Sequence, residues 1–111
     1  MLQDLLDSLA QEQINFSQVL TYIDAAYNYT PTAFQNGVQR NAAGENQGSA
    51  KVFSFAQIHQ LSAAQTLSLF AEHYQSVLHH PDATDHQNIR QFMQHGWSGI
   101  QFEASALTPK A

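Results

Sequence analysis

The chain has 111 residues, enough for one core of the usual roughly 100 to 150 residues and too few for two, so a single domain over residues 1-111 is expected. Hydrophobic residues at 43% and aromatics at 11% exclude wholesale disorder. Nine acids against four scattered bases (Arg40, Lys51, Arg90 and Lys110) give a net charge of -5, which disfavours nucleic acid or an anionic membrane as partner; the absence of cysteine removes disulfides, thiolate metal sites and a cysteine nucleophile.

Leu2, Leu5, Leu6 and Leu9 trace the stripe of an amphipathic helix that runs to about Glu12. No basic leader or apolar run of signal-peptide length opens the chain, so a cytoplasmic protein with no membrane span is expected. Asn15 followed by Gln18 reads as a capping box, and Phe16, Val19, Leu20, Ile23 and Tyr27 mark the buried face of a second helix from Phe16 to about Tyr27.

From Asn28 to Ser49 the period disappears, and four asparagines, three glycines and Pro31 give the stretch loop chemistry, with Asn36-Gly37 as a tight-turn dipeptide. Tyr29 and Phe34 argue that this long loop is ordered. Lys51 to Leu61 is nearly continuously apolar and fits a buried helix better than a strand. Ser62 and Gln65 form another capping box, opening one long fourth helix with Leu67, Phe70, Ala71, Tyr74 and Leu78 inward and Pro81 as its stop.

Thr84 and Gln87 read as a third box for a fifth helix that ends near His95. Gly96 takes the C′ position there, which would fold Trp97 back onto Phe92. Ile100-Gln101-Phe102 alternates like a short strand that would pair with Thr32-Phe34, and the tail after Glu103 is expected to fray. The fold class expected is therefore mainly α: a compact bundle of about five helices with one long ordered loop and at most a minimal two-stranded pairing.

The residues Ile23-Asp24, Tyr29-Thr30-Pro31, Asn36-Gly37, Asn41, Gly44, Asn46 and Gly48-Ser49, then Lys51, Phe53, Phe55-Ala56 and Phe70, carry a family pattern. The run Asp85-His86-Gln87-Asn88-Ile89-Arg90 beside Gly96-Trp97-Ser98-Gly99-Ile100 completes it. On these residues the chain resembles the HopJ type III effector family from about Phe16 to Phe102. The resemblance brings no established biochemical activity. It allows secretion through a type III system, which the helical Leu2 to Leu9 segment does not support, since such signals are usually flexible and Ser-rich. Some relatives are expected to carry cysteine where this chain has Ala50, so no thiol role carries over.

Two surfaces invite a function. The first is the loop, where Asn36, Asn41, Asn46 and Ser49, with Lys51 just beyond, are placed to converge on a polar ligand; backbone N-H groups near Gly44, Gly48 and the start of the third helix would add anion-binding capacity. The second is the start of the fifth helix, where Asp85 would orient His86 while Asn88 and Arg90 hold a ligand, with Trp97 on an adjoining patch. Asp24, beside buried Ile23, reads as a fastener for the loop or as an acid.

Six histidines fall between His59 and His95 without zinc-ligand spacing, and Gly96-Trp97-Ser98-Gly99 is not a nucleophile elbow, so neither a metal nor another cofactor is expected. The expected function is a binding or interaction module for a protein or small polar ligand. The alternative is a small enzyme acting on an anionic metabolite, with catalytic candidates Asp24, Asp85 and His86 and with His86 as its acid or base.

Overall fold

A computed structural model describes residues 2–110 of the chain. Helix α1 (Leu2–Ala10) buries Leu5 and Leu9 and packs on the later helix Ala63–Ser68. Helix α2 (Phe16–Ala26) opens on the expected reciprocal box: Asn15 Oδ1 accepts from Gln18 N at 2.9 Å, and Gln18 Oε1 accepts from Asn15 N at 2.8 Å. Val19 and Ile23 are the buried stripe of α2.

Helix α3 (Gln47–Ile58) is the centre of the molecule. Ala50, Val52, Phe53, Ser54, Phe55 and Ala56 are all buried, and a helix hidden on every side is the physical reason that this segment reads as nearly continuously apolar. It starts four residues before Lys51, so the long irregular stretch is correspondingly shorter than expected. Phe53 gathers Phe34, Phe70, Phe92 and Trp97 around it at ring-centroid separations of 6.1, 5.4, 5.0 and 6.4 Å.

The fold is mostly helical but not a pure bundle. Strand β2 (Phe34–Asn36) pairs antiparallel with β3 (Gln39–Asn41) and with β4 (Ile100–Phe102), giving the order β3-β2-β4. Gly37, at φ +58°, opens the two-residue turn of the β2-β3 hairpin. The partner of Ile100–Phe102 is Phe34–Asn36 rather than Thr32-Phe34, a register that continues the β2-β3 hairpin and sets buried Phe34 against Phe102. Phe34 lies opposite Phe102, their rings stacked at 4.7 Å.

A second sheet corrects the expected frayed tail. Strand β5 (Leu107–Pro109) pairs antiparallel with β1 (Tyr27–Tyr29), and Thr30 N donates to Ala106 O at 2.8 Å. Ala106 and Leu107 are 2% and 4% exposed, so apolar burial anchors the tail.

The expected long fourth helix is two helices, α4 (Ala63–Ser68) and α5 (Glu72–His79). The Ser62–Gln65 box forms as expected, but Leu69, Phe70 and Ala71 take i→i−3 hydrogen bonds and Ala71 reaches φ +50°. Thr66, Leu67, Leu69 and Phe70 are buried ahead of the break, and beyond it α5 buries Val77 while Leu78 is 44% exposed.

Helix α6 (Gln87–His95) also starts differently. The Thr84–Gln87 box does not close; Gln87 Nε2 donates to Thr84 O, and His86 in the left-handed region is the N-cap, with no side-chain cap bond. At the other end Gly96 has positive φ, and Trp97 packs edge-on against Phe92 at 5.0 Å, as expected. Trp97 lies in a 3-10 turn, Gly96–Gly99, that leads into β4.

Candidate functional site

Four asparagines join the hairpin to the starts of α3 and α6. Asn36 and Asn41 are fully buried and Asn88 is 6% exposed. Asn36 Nδ2 donates to Asn88 O at 2.8 Å and to Asn88 Oδ1 at 3.0 Å. Asn88 Nδ2 and Asn46 Nδ2 both donate to Asn41 Oδ1, at 2.9 and 2.7 Å, and Asn41 Nδ2 returns a bond to Asn88 Oδ1 at 3.2 Å. A carboxamide is both donor and acceptor, so the set can satisfy itself without charge. Asn36 Oδ1 alone among these carboxamide oxygens is buried with no partner.

The network holds two helix starts side by side. Asn46 and His86, the N-caps of α3 and α6, both adopt φ/ψ near +50°/+48°, at 49°/49° and 52°/47°, and neither side chain caps its helix. Their first turns form two walls of a cleft of about 420 Å³, with Asn46, Gly48 and Ser49 on one side and His86, Gln87 and Asn88 on the other. Phe16 and Phe70, stacked at 5.7 Å, add an aromatic surface. His73 packs edge-on against Phe16 at 4.9 Å and lies 5.0 Å from the His86 ring. Gly48 suits this closeness, since a Cβ there would stand 3.1 Å from the Phe16 ring and press it aside by a few tenths of an ångström.

The sequence-predicted residues are distributed unevenly around this cleft. Asn46, Ser49, Asn88 and His86 line it, and Asn41 supports it from beneath. Lys51 does not join them: its Nζ pairs with Asp24 Oδ1 at 2.9 Å and lies 5.1 Å from the centre of the Tyr29 ring. The Tyr29 hydroxyl is buried without a partner, and burial pushes its pKa up. Asp24 is thus tied to the base that follows Ala50 and is absent from the cleft.

Arg90 is consumed locally. Its Nε donates to Asp85 O at 2.6 Å, its guanidinium meets Asp85 Oδ1 at 2.9 Å, and a third bond of 3.2 Å goes to Pro81 O. The Arg90 guanidinium holds the Asp85 carboxyl below the usual aspartate value, with His86 assisting. Asp85 Oδ2 stands 3.8 Å from His86 Nε2, beyond hydrogen-bond length. Trp97 is half-buried and donates from Nε1 to Leu61 O at 3.0 Å, so it lies in the core and a separate shallow recess.

His73, Gln39 and Phe16 belong to the cleft without having been singled out in the sequence. His73 stands on α5, three residues after Phe70 and just beyond the break at Ala71, which no local signal announces. A larger hollow of about 700 Å³ lies between the α1-α2 connection and α5 and is also lined by polar side chains, but Glu72 Oε1 there is bound by Phe16 N at 2.7 Å, and Asn15 and Gln18 are spent on each other's backbone N-H groups in the α2 capping box. Among the described residues no helix is long and apolar enough to cross a membrane.

Comparison with known proteins bears on the whole chain. The family model described as HopJ type III effector protein matches residues 2–107. A solved structure, titled as the crystal structure of unknown function protein VPA0580, is similar at 49% identity and a TM-score of 0.91, over 99% of this chain and 94% of that one. No curated protein matches.

Proposed function

This chain belongs to the HopJ type III effector protein family, and from that premise we propose that it is a binding module for a small polar ligand, held in the cleft between the starts of α3 and α6. The observation that carries this reading is the four-asparagine network. Burying three carboxamides is costly unless each is hydrogen-bonded, and this set is organised so that Asn46 and Asn88 keep their helix starts at one fixed separation. The cleft above it combines an aromatic surface with convergent polar groups, the usual composition of a small-molecule site.

An acid-base role for His86 has less support. Catalysis would need a carboxylate within hydrogen-bond reach of the imidazole, and Asp85 is 3.8 Å away and engaged by Arg90, while Asp24 is bound to Lys51. Binding asks only for the lining that is present.

Thermal-shift screening against polar metabolites, followed by amide chemical-shift mapping, tests the proposal. A ligand at a hundredfold excess over its Kd should stabilise the fold by about 2.7 kcal/mol. Its shifts should centre on Gly48, Ser49, His86 and Asn88. Stabilising ligands whose shifts centre elsewhere would remove the proposal.

A further inference from the structure

Although acids outnumber bases nine to four in the chain, no carboxylate lines the cleft among the described residues. The charged groups on the elements around it are committed to other partners. Glu72 on α5 accepts from Phe16 N, and Glu45, before α3, accepts from Ala42 N at 2.8 Å. Asp85 and Arg90 bind one another, as do Lys51 on α3 and Asp24 on α2, and Arg40 on β3 pairs with Glu103. The titratable side chains left facing the cleft are His73 and His86, half-buried and 5.0 Å apart with their planes tilted by 39°.

Neutral imidazole offers one donor and one acceptor, whereas imidazolium offers two donors and a charge. Two imidazolium rings this close repel, unless a negative group lies against both. Ser49 is on the same lining, as are residues of the first turns of α3 and α6, whose N-cap side chains make no cap bond.

We infer that the cleft takes a small oxyanion, bearing phosphate or carboxylate oxygens, and that binding is coupled to protonation of the His73–His86 pair. The inference rests on the proposed ligand-binding role and adds the charge and the proton linkage. Binding takes up protons, so affinity rises as pH falls through the histidine range, and the bound anion in turn favours the protonated rings. The exposed Asp85 carboxylate stands 3.8 Å from His86 Nε2 and is engaged by Arg90.

Sulfate is a suitable probe, because its charge does not change across this range. Titrated into the full-length protein at pH about 5.5 and about 8, it should bind at least about tenfold more tightly at the lower pH. The amide shifts should centre on Gly48, Ser49 and His86 to Asn88. His73→Gln and His86→Gln should each lose most of the pH dependence while keeping the native amide spectrum. Independently of any variant, sulfate should raise the titration midpoints of both histidine rings in the unaltered protein.

Equal sulfate affinity at the two pH values, or unmoved histidine midpoints, overturns the inference. Shifts at the same amides with a neutral polar ligand and none with sulfate overturn the oxyanion while leaving the ligand-binding role intact. If neither kind of ligand moves those amides, both fall.

Discussion

Asn41 and Asn88, far apart in sequence, exchange side-chain amide bonds in the interior: Asn88 Nδ2 donates to Asn41 Oδ1 at 2.9 Å and Asn41 Nδ2 donates to Asn88 Oδ1 at 3.2 Å. The pair fastens the β2-β3 hairpin to the start of α6, and Asn36 and Asn46 attach to its two ends. Asn88→Ala removes the Asn88 acceptor of Asn41 and leaves Asn41 Nδ2 only the longer 3.4 Å bonds to Phe34 O and Gln39 O, so it should destabilise the protein by about 1–3 kcal/mol in urea denaturation. Because the two residues share one network, Asn41→Ala combined with Asn88→Ala should cost clearly less than the sum of the single changes. Additive losses would mean that the two side chains act independently.

His86 holds a left-handed backbone, φ 52° and ψ 47°, that an L side chain adopts at a cost of about 1–2 kcal/mol. Glycine removes that cost and loosens the unfolded chain, so His86→Gly should raise stability by about 0.5–1 kcal/mol. The same change removes one ring of the cleft pair. A higher melting temperature together with lost sulfate binding is the expected combination, and a lower melting temperature would show that the imidazole contacts with His73 outweigh the backbone strain.

Much of this architecture is legible where one helix carries its own signals. Asn15–Gln18 and Ser62–Gln65 are reciprocal boxes within four residues, and both form. Gly96 and Trp97 follow the same local logic. The elements that escape a sequence reading answer to distant partners. Nothing near Leu107 says that it will lie opposite Tyr29, and nothing near Ala71 marks the φ +50° turn that divides α4 from α5. The cleft divides in the same way. Asn46, Ser49, Asn88 and His86 stand in Asn- and Gly-rich or helix-start sequence that invites attention, whereas nothing around His73 in the sequence points to its neighbours Phe16 and His86. Lys51, Arg90 and Asp24 drew notice for their charge, and charge is what ties each to a neighbour instead.

Asp85 should make the fold sensitive to acid. Its hydrogen bond with Arg90, with a smaller contribution from His86, lowers its folded pKa. A depressed carboxyl contributes stability that is fully present above the unfolded value of about 3.9 and is lost as pH falls through the lower folded value. Carbon-detected titration of the Asp85 carboxyl should therefore give a midpoint below that of a free aspartate. The melting-temperature gap between the unaltered protein and Asp85→Asn should be constant near neutrality and shrink in acid. A gap that stays constant into strong acid would mean that the Arg90 contact does not survive in solution.

The β1-β5 sheet supplies a prediction that separates an anchored tail from a frayed one. Leu107 is 4% exposed, opposite Tyr29, and its neighbour Ala106 accepts a 2.8 Å hydrogen bond from Thr30 N, just beyond β1. Lys110 N donates to Ala26 O at 3.0 Å, so the strand is tied at both ends. Leu107→Ala should cost about 2–4 kcal/mol, the usual range for truncating a buried leucine, whereas a frayed segment would show almost no change. Thr108→Ala, on an exposed position of the same strand, should stay within about 0.5 kcal/mol and serves as the control. Amide exchange completes the test: the Thr30 and Lys110 amides should be protected in the unaltered protein, and Leu107→Ala should accelerate both together, since one strand pairing protects them.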